Sequence, residues 1–156
     1  MPNISIKGKS MPESPIRKLV PYAEDAKKRG IKVFQLNIGQ PDIETPIQAI
    51  QAVKNSKIKV LAYSRSEGSE NYRKKLTEYY SKKSITVNKN DIIVTTGASE
   101  ALFFTLGSIM DPGDEIIIPE PFYANYNGFS VANGIKIFPI TSTIEDNFSL
   151  PKISDF

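Results

Sequence analysis

The stretch Asp91-Ile92-Ile93-Val94-Thr95-Thr96-Gly97-Ala98-Ser99-Glu100-Ala101-Leu102 decides the fold of this chain. A short β-branched run passes at once into Gly, Ala and Ser, and then into an apolar stretch of helical length. That order predicts a strand over 92–95, a tight turn, and a helix over 100–110. Such a turn aims backbone N–H groups and the positive end of the helix dipole at one point, which suits a phosphate. The N–H groups of Ala98 and Ser99 and the Ser99 hydroxyl are the candidate ligands. Close packing of a strand on a helix asks for the same small residues, so the motif alone leaves both readings open.

The pattern continues on both sides. Downstream, Asp111-Pro112-Gly113-Asp114 reads as a turn, 115–119 as a strand, 123–132 as a helix and 135–140 as a strand. Upstream, residues 1–13 read as a flexible arm. Ser14-Pro15 opens a helix carried by Ile16, Leu19, Val20, Ala23 and Ala26, with Gly30 closing it. Pro21 either kinks that helix or marks its true first turn. The run 33–38 reads as a strand. Thr45-Pro46 reads as a cap with proline in the first turn of a helix through Ile47, Ile50 and Val53. Ser69 reads as the cap of a helix through Tyr72, Leu76 and Tyr79, residues 56–68 as a loop, and the last 15 residues as irregular. Strands alternating with helices predict an α/β chain: three layers, αβα, around a mainly parallel sheet, preceded by an N-terminal arm and helix.

Composition narrows the chemistry. The chain has 156 residues, enough for one ordinary domain, with 40% hydrophobic and 24% charged residues. It contains no cysteine and no histidine. Thiolate catalysis, zinc–sulfur sites, the Ser–His pair and the commonest general base are therefore excluded from this chain. The net charge of +3 comes from lysines spread along the sequence. The densest group, Lys27-Lys28-Arg29, sits at a helix end where cations suit the dipole. No basic patch with aromatic partners suggests nucleic acid. No apolar run approaches the roughly 18 residues of a bilayer span, and the start of the chain has no apolar signal core, so the expected location is the cytoplasm with no membrane partner.

Five blocks stand in order along the chain: Leu36-Asn37-Ile38-Gly39-Gln40-Pro41-Asp42; Tyr63 with Gly68 and Tyr72-Arg73; Thr96-Gly97-Ala98-Ser99; Asp111-Pro112-Gly113-Asp114-Glu115; and Pro119-Glu120-Pro121-Phe122-Tyr123. In this order and spacing the chain resembles the class I/II aminotransferases, fold type I enzymes that use pyridoxal 5'-phosphate, and within them the aspartate aminotransferase-like branch. The resemblance runs from about Ser14 to the C-terminus. It implies transfer of an amino group between an amino acid and a 2-oxo acid, and a homodimer with composite sites. It also implies that residues 1–45 are an arm and small-domain segment and 46–156 the first, incomplete part of the large cofactor-binding domain.

The resemblance assigns roles residue by residue. Ala98 and Ser99 lie in the family's phosphate turn. Tyr63 stands where a tyrosine reaches the partner's cofactor phosphate. Tyr123 matches the aromatic stacked on the cofactor ring, which would hold the ring and exclude water. Gly39 matches the glycine whose N–H meets the substrate α-carboxylate, and Ile16 would line the substrate pocket. Ser99 stands where some aspartate-type members carry a lysine for a second carboxylate, which argues against dicarboxylate specificity. Phe122 and Tyr126 are expected in the core.

A pyridoxal phosphate enzyme also needs a Schiff-base lysine, a carboxylate on the pyridine nitrogen and an arginine for the substrate carboxylate. None has a recognisable block here, so no catalytic residue and no metal ligand is assigned in this chain. By the resemblance those blocks lie beyond Phe156, and the expectation is an N-terminal part, inactive alone. Two other readings compete. Thr96-Gly97-Ala98-Ser99 also resembles the start of a Rossmann-type nucleotide turn of an oxidoreductase, although Glu100-Ala101-Leu102 stand where further glycines are needed. A non-catalytic binding protein of the same fold is the third.

Overall fold

The computed structural model describes residues 2–156 and divides the chain into two compact units. One combines residues up to Asn37 with Thr96–Phe156; the other is Ile38–Thr95.

The first unit begins with helix α1, Ile6–Ser10, opened by the Ser5 hydroxyl, which accepts from the Gly8 N–H at 3.0 Å. The Lys7 ammonium donates to the Ala132 carbonyl at 2.9 Å. The expected flexible arm thus contains a capped, anchored turn of helix. Ser14 does open the next helical stretch: its hydroxyl accepts from the Arg17 N–H at 3.3 Å. A 3-10 turn at Arg17–Leu19 leads into α2, Val20–Lys28. Pro21 sits in the first turn of α2, where its missing N–H costs no helical bond, so it starts the helix and does not kink it. Beyond α2, the Gly30 N–H donates to Lys27 O and the Ile31 N–H to Ala26 O, the paired bonds of a Schellman close.

The expected strand at 33–38 is absent. Residues 31–35 have no regular structure, and Phe34 and Leu36 are exposed. A strand is held by ladder bonds to a neighbour, and the backbone here makes only a short Leu36-to-Phe34 contact of its own.

Helix α5 covers Ala98–Ile109, starting two residues earlier than predicted. Strand β1, Glu115–Glu120, and strand β2, Lys136–Thr141, pair in parallel from Glu115 opposite Lys136 to Glu120 opposite Thr141. Helix α6, Asn125–Asn133, makes the crossover between them, as a parallel pair requires. It starts two residues later than predicted. The chain is α/β, as expected, with a parallel sheet of two strands among the described residues. Leu106 on α5 and Ile135 before β2 are the buried apolar residues of this unit. Phe122 and Tyr126 are half-buried and meet edge to face, with ring centroids 6.2 Å apart. A 3-10 turn at Ile153–Asp155 interrupts the expected irregular tail.

The second unit contains α3, Ile47–Lys54, and α4, Glu70–Ser81. Pro46, not Thr45, is the residue flanking α3, and no side chain caps it. Ser69 flanks α4, again without a hydroxyl bond to the helix. A 3-10 turn at Lys89–Asp91 is closed by a reciprocal cap in which the Asn88 N–H donates to Asp91 Oδ2 at 2.8 Å. Residues 92–95, expected as a strand, run without strand structure; the Val94 N–H donates to the Glu67 carbonyl at 3.1 Å. The β-branched composition is right for a strand, but strand structure needs a partner ladder that this unit does not supply.

Candidate functional site

The turn before α5 leads into a helix N-terminus, as the sequence predicts, but without the expected strand ahead of it. Gly97 is the flanking residue, with φ +85° and ψ 171°, a conformation that side-chain-bearing residues rarely adopt. Glycine also brings no side-chain cap, so Ala98 and Ser99 open the helix with their N–H groups unclaimed by a capping side chain. A Cβ built on Gly97 meets nothing within 4 Å. Gly97, Ala98 and Ser99 are all exposed; Gly97 precedes α5, and Ala98 and Ser99 are its first two residues.

Glu100, in the third helical position, folds back so that its carboxylate accepts from the Thr96 N–H at 2.5 Å. That fixes the entry of the chain into α5 and occupies the one acid of the first turn with a different N–H from those of Ala98 and Ser99. The sequence carries a signal for it: an acid three residues after the turn glycine, the spacing of a reach-back cap.

In the same unit Tyr123 lies in the connection from β1 to α6. It is half-exposed, and the Asn125 side-chain amide donates to its phenol oxygen. Tyr126 stands edge-on to it at 6.5 Å between centroids. One side of the ring is thus braced while much of it stays open. Ile16, half-buried, stands just before the 3-10 turn at Arg17–Leu19; its carbonyl accepts from the Asn37 side chain at 3.2 Å.

The second unit holds Tyr63 and Gly39. Tyr63 is fully exposed. Gly39 is exposed, outside regular structure, and nothing lies within 4 Å of a Cβ built there. Residue by residue, the structure leaves each of the six sequence-chosen positions in a setting that permits contact with a ligand. It assembles Ala98 and Ser99 at one helix end, and it assigns Tyr63 and Gly39 to a different unit from the other four.

The donor set fits part of a pyridoxal phosphate site. An open helix N-terminus and a hydroxyl suit the phosphate, and an open aromatic face suits the ring. Among the described residues no cluster of three metal-ligating side chains occurs, and no helix is long and apolar enough to cross a membrane.

Comparison with known proteins decides the family. The sequence pattern described as "Aminotransferase class I and II" matches residues 31–151. The chain belongs to the class I and II aminotransferases. It is 35% identical over 129 residues to the (5-formylfuran-3-yl)methyl phosphate transaminase of Methanocaldococcus jannaschii, covering 81% of this chain and 35% of that protein. It is 30% identical over 153 residues to a probable aspartate/prephenate aminotransferase of Rickettsia conorii, covering 94% of this chain and 37% of that protein. Among solved structures it superposes on an aspartate aminotransferase of Thermotoga maritima with a TM-score of 0.87 at 25% identity, covering 97% of this chain and 41% of the other. It superposes on an alanine aminotransferase of Pyrococcus furiosus with a TM-score of 0.84 at 33% identity, covering 98% and 40%. The fold is therefore that of the fold type I aminotransferases. The chain spans 35% to 41% of the length of these relatives. Family membership favours the aminotransferase reading over the Rossmann-type nucleotide reading of the Gly97 turn.

Proposed function

We propose that this chain is the N-terminal part of a pyridoxal-phosphate-dependent aminotransferase that moves an amino group between an amino acid and a 2-oxo acid. The observation that carries the proposal is the exposed start of α5 at Ala98 and Ser99 in a chain of this family. Residues 1–45 act as the arm and small-domain segment, and 46–156 as the first part of the cofactor-binding domain.

Pyridoxal phosphate, when bound, draws electrons away from the substrate α-carbon and so lets its proton leave. The chain's own residues bind and orient. The Ala98 and Ser99 N–H groups and the Ser99 hydroxyl take phosphate oxygens, aided by the dipole of α5. The Tyr123 ring covers one face of the pyridine and keeps water from it, with its phenol steadied by Asn125. Tyr63 donates to the phosphate held by the partner of a homodimer; its full exposure supports that reading over packing within its own chain. The Gly39 N–H meets the substrate carboxylate, and Ile16 forms apolar wall. Serine at position 99 favours substrates other than dicarboxylates. The location is cytoplasmic.

The test is amino transfer by the full-length protein across a panel of amino-acid donors and 2-oxo acid acceptors. Transfer is expected, with Ser99→Ala and Tyr123→Leu each lowering kcat/KM by about tenfold or more, the worth of one charge-assisted contact or one ring cover. Absence of amino transfer with every donor, in protein shown to be folded, contradicts the proposal.

A further inference from the structure

Arg73 is the one buried residue of the second unit, at 3% exposure. A charged side chain is seldom buried to this degree unless its partners are fixed, and here they are. Nε donates to the Gly68 carbonyl at 3.3 Å, Nη1 to the Lys89 carbonyl at 2.6 Å, and Nη2 to Glu67 Oε1 at 3.2 Å. All three arms of the planar fork are thus used, two on the end of one loop and one on a segment 16 residues away.

The same two pieces of backbone are stitched elsewhere. The Glu67 carbonyl accepts from the Val94 N–H at 3.1 Å, and the Gly68 N–H closes a turn on Arg65 O at 2.9 Å. Gly68 has φ +91°, and a Cβ there would come within 2.6 Å of the Val94 side chain. The segment from Lys89 to Val94 is the one that runs on in sequence to Gly97. The turn at Arg65–Gly68 begins two residues after Tyr63. Helix α4, which carries Arg73, is itself held to this region by Glu70, whose carboxylate pairs with Lys89, Lys74 and Arg65.

We propose that Arg73 is a positioning residue for Tyr63: its buried fork locks the Arg65–Gly68 turn onto the Lys89–Val94 segment and thereby fixes where the Tyr63 phenol presents itself to a phosphate. This rests on the reading of Tyr63 as a donor to the cofactor phosphate. Tyr63 has no buried contact of its own to hold it. The base of its loop supplies the constraint, and lysine at position 73 would keep the charge and lose the fork.

The experiment uses the full-length protein with Arg73→Lys, Tyr63→Phe and the double variant, and has two readouts. The first is amide hydrogen exchange without cofactor. Arg73→Lys is expected to speed exchange at Gly68 and Val94 at least tenfold while leaving Ile135, bonded to Ser130 O in the other unit, unchanged. The second compares binding of pyridoxal phosphate with binding of pyridoxal, which lacks the phosphate. Arg73→Lys is expected to weaken pyridoxal phosphate about tenfold and pyridoxal hardly at all, with the double variant no weaker than Tyr63→Phe. A purely structural role would weaken both ligands alike and add to Tyr63→Phe, which overturns the inference. Unchanged exchange at Gly68 and Val94, with Tyr63→Phe defective in phosphate binding, overturns the role of Arg73 and leaves that of Tyr63 standing. Unchanged phosphate binding in Tyr63→Phe alone overturns the reading of Tyr63 and this inference with it. Should Arg73→Lys not fold, Glu67→Gln removes the ion pair and keeps an acceptor, and the same pattern is expected at smaller size.

Discussion

At Gly68 a left-handed backbone and a crowded neighbour coincide, whereas at Gly30 the backbone alone is demanding. Both have positive φ, +91° and +77°, but only Gly68 has a neighbour within reach of an added Cβ. Gly30→Ala is expected to cost about 1 kcal/mol of stability, the price of a left-handed alanine. Gly68→Ala is expected to cost about 3 kcal/mol, because the methyl group must also displace Val94 in a packed turn. Urea denaturation with unchanged m-values checks the difference. Equal losses would mean that the Val94 contact relaxes freely. Gly68 was visible in the sequence as one of the spaced glycines, but its reason was not. Contact with a residue 26 positions away lies outside local pattern. Arg73 shows the same limit: its place beside Tyr72 was legible, while its burial depends on carbonyls contributed by Gly68 and Lys89.

Among the elements, α4 carries the clearest electrostatic signature. The ammonium of Lys89 hydrogen-bonded to Glu70, with Lys74 at 3.2 Å beside it, lowers the Glu70 carboxyl to a pKa of about 2 from an ordinary 4.5. The folded form therefore stays ionised where the unfolded chain has already taken up a proton. The stabilising contribution is fully present above about pH 4.5 and is lost as pH falls toward 2. Glu70→Gln is expected to flatten the fall in urea midpoint between pH 5 and pH 2.5 relative to the unsubstituted protein. An acid limb of unchanged slope would show that the exposed pair is screened away. Helices α3, α4, α5 and α6 were legible from their apolar spacing and end residues, within two residues of the observed limits, whereas α2 begins at Val20, five residues after the Pro15 that was expected to open it. Two strands were not. The runs at 33–38 and 92–95 have strand composition, yet a strand exists only with a ladder partner; β1 and β2 found each other across α6, while these runs carry no strand structure. The turn of helix at Ile6–Ser10 is too short to show a periodic pattern, and part of its support is the distant Ala132 carbonyl.

For the whole molecule, the start of α5 is the decisive feature. The sequence showed small residues there and left packing and phosphate binding equally open. The structure leaves Gly97, Ala98 and Ser99 exposed, and the family match supplies the ligand's chemistry. Tyr123 and Tyr63, chosen by resemblance, are exposed enough to serve, but no local pattern in the sequence distinguished them from the other tyrosines. Following the backbone amide resonances of Ala98 and Ser99 during titration with pyridoxal 5'-phosphate, and separately with pyridoxal, tests the central claim most directly. Saturable shifts largest at Ala98 and Ser99, present with the phosphate ester and absent with pyridoxal, are predicted. Shifts that bypass these two amides, or that are the same for both ligands, would contradict the assignment of the Gly97–Ser99 turn to the cofactor phosphate.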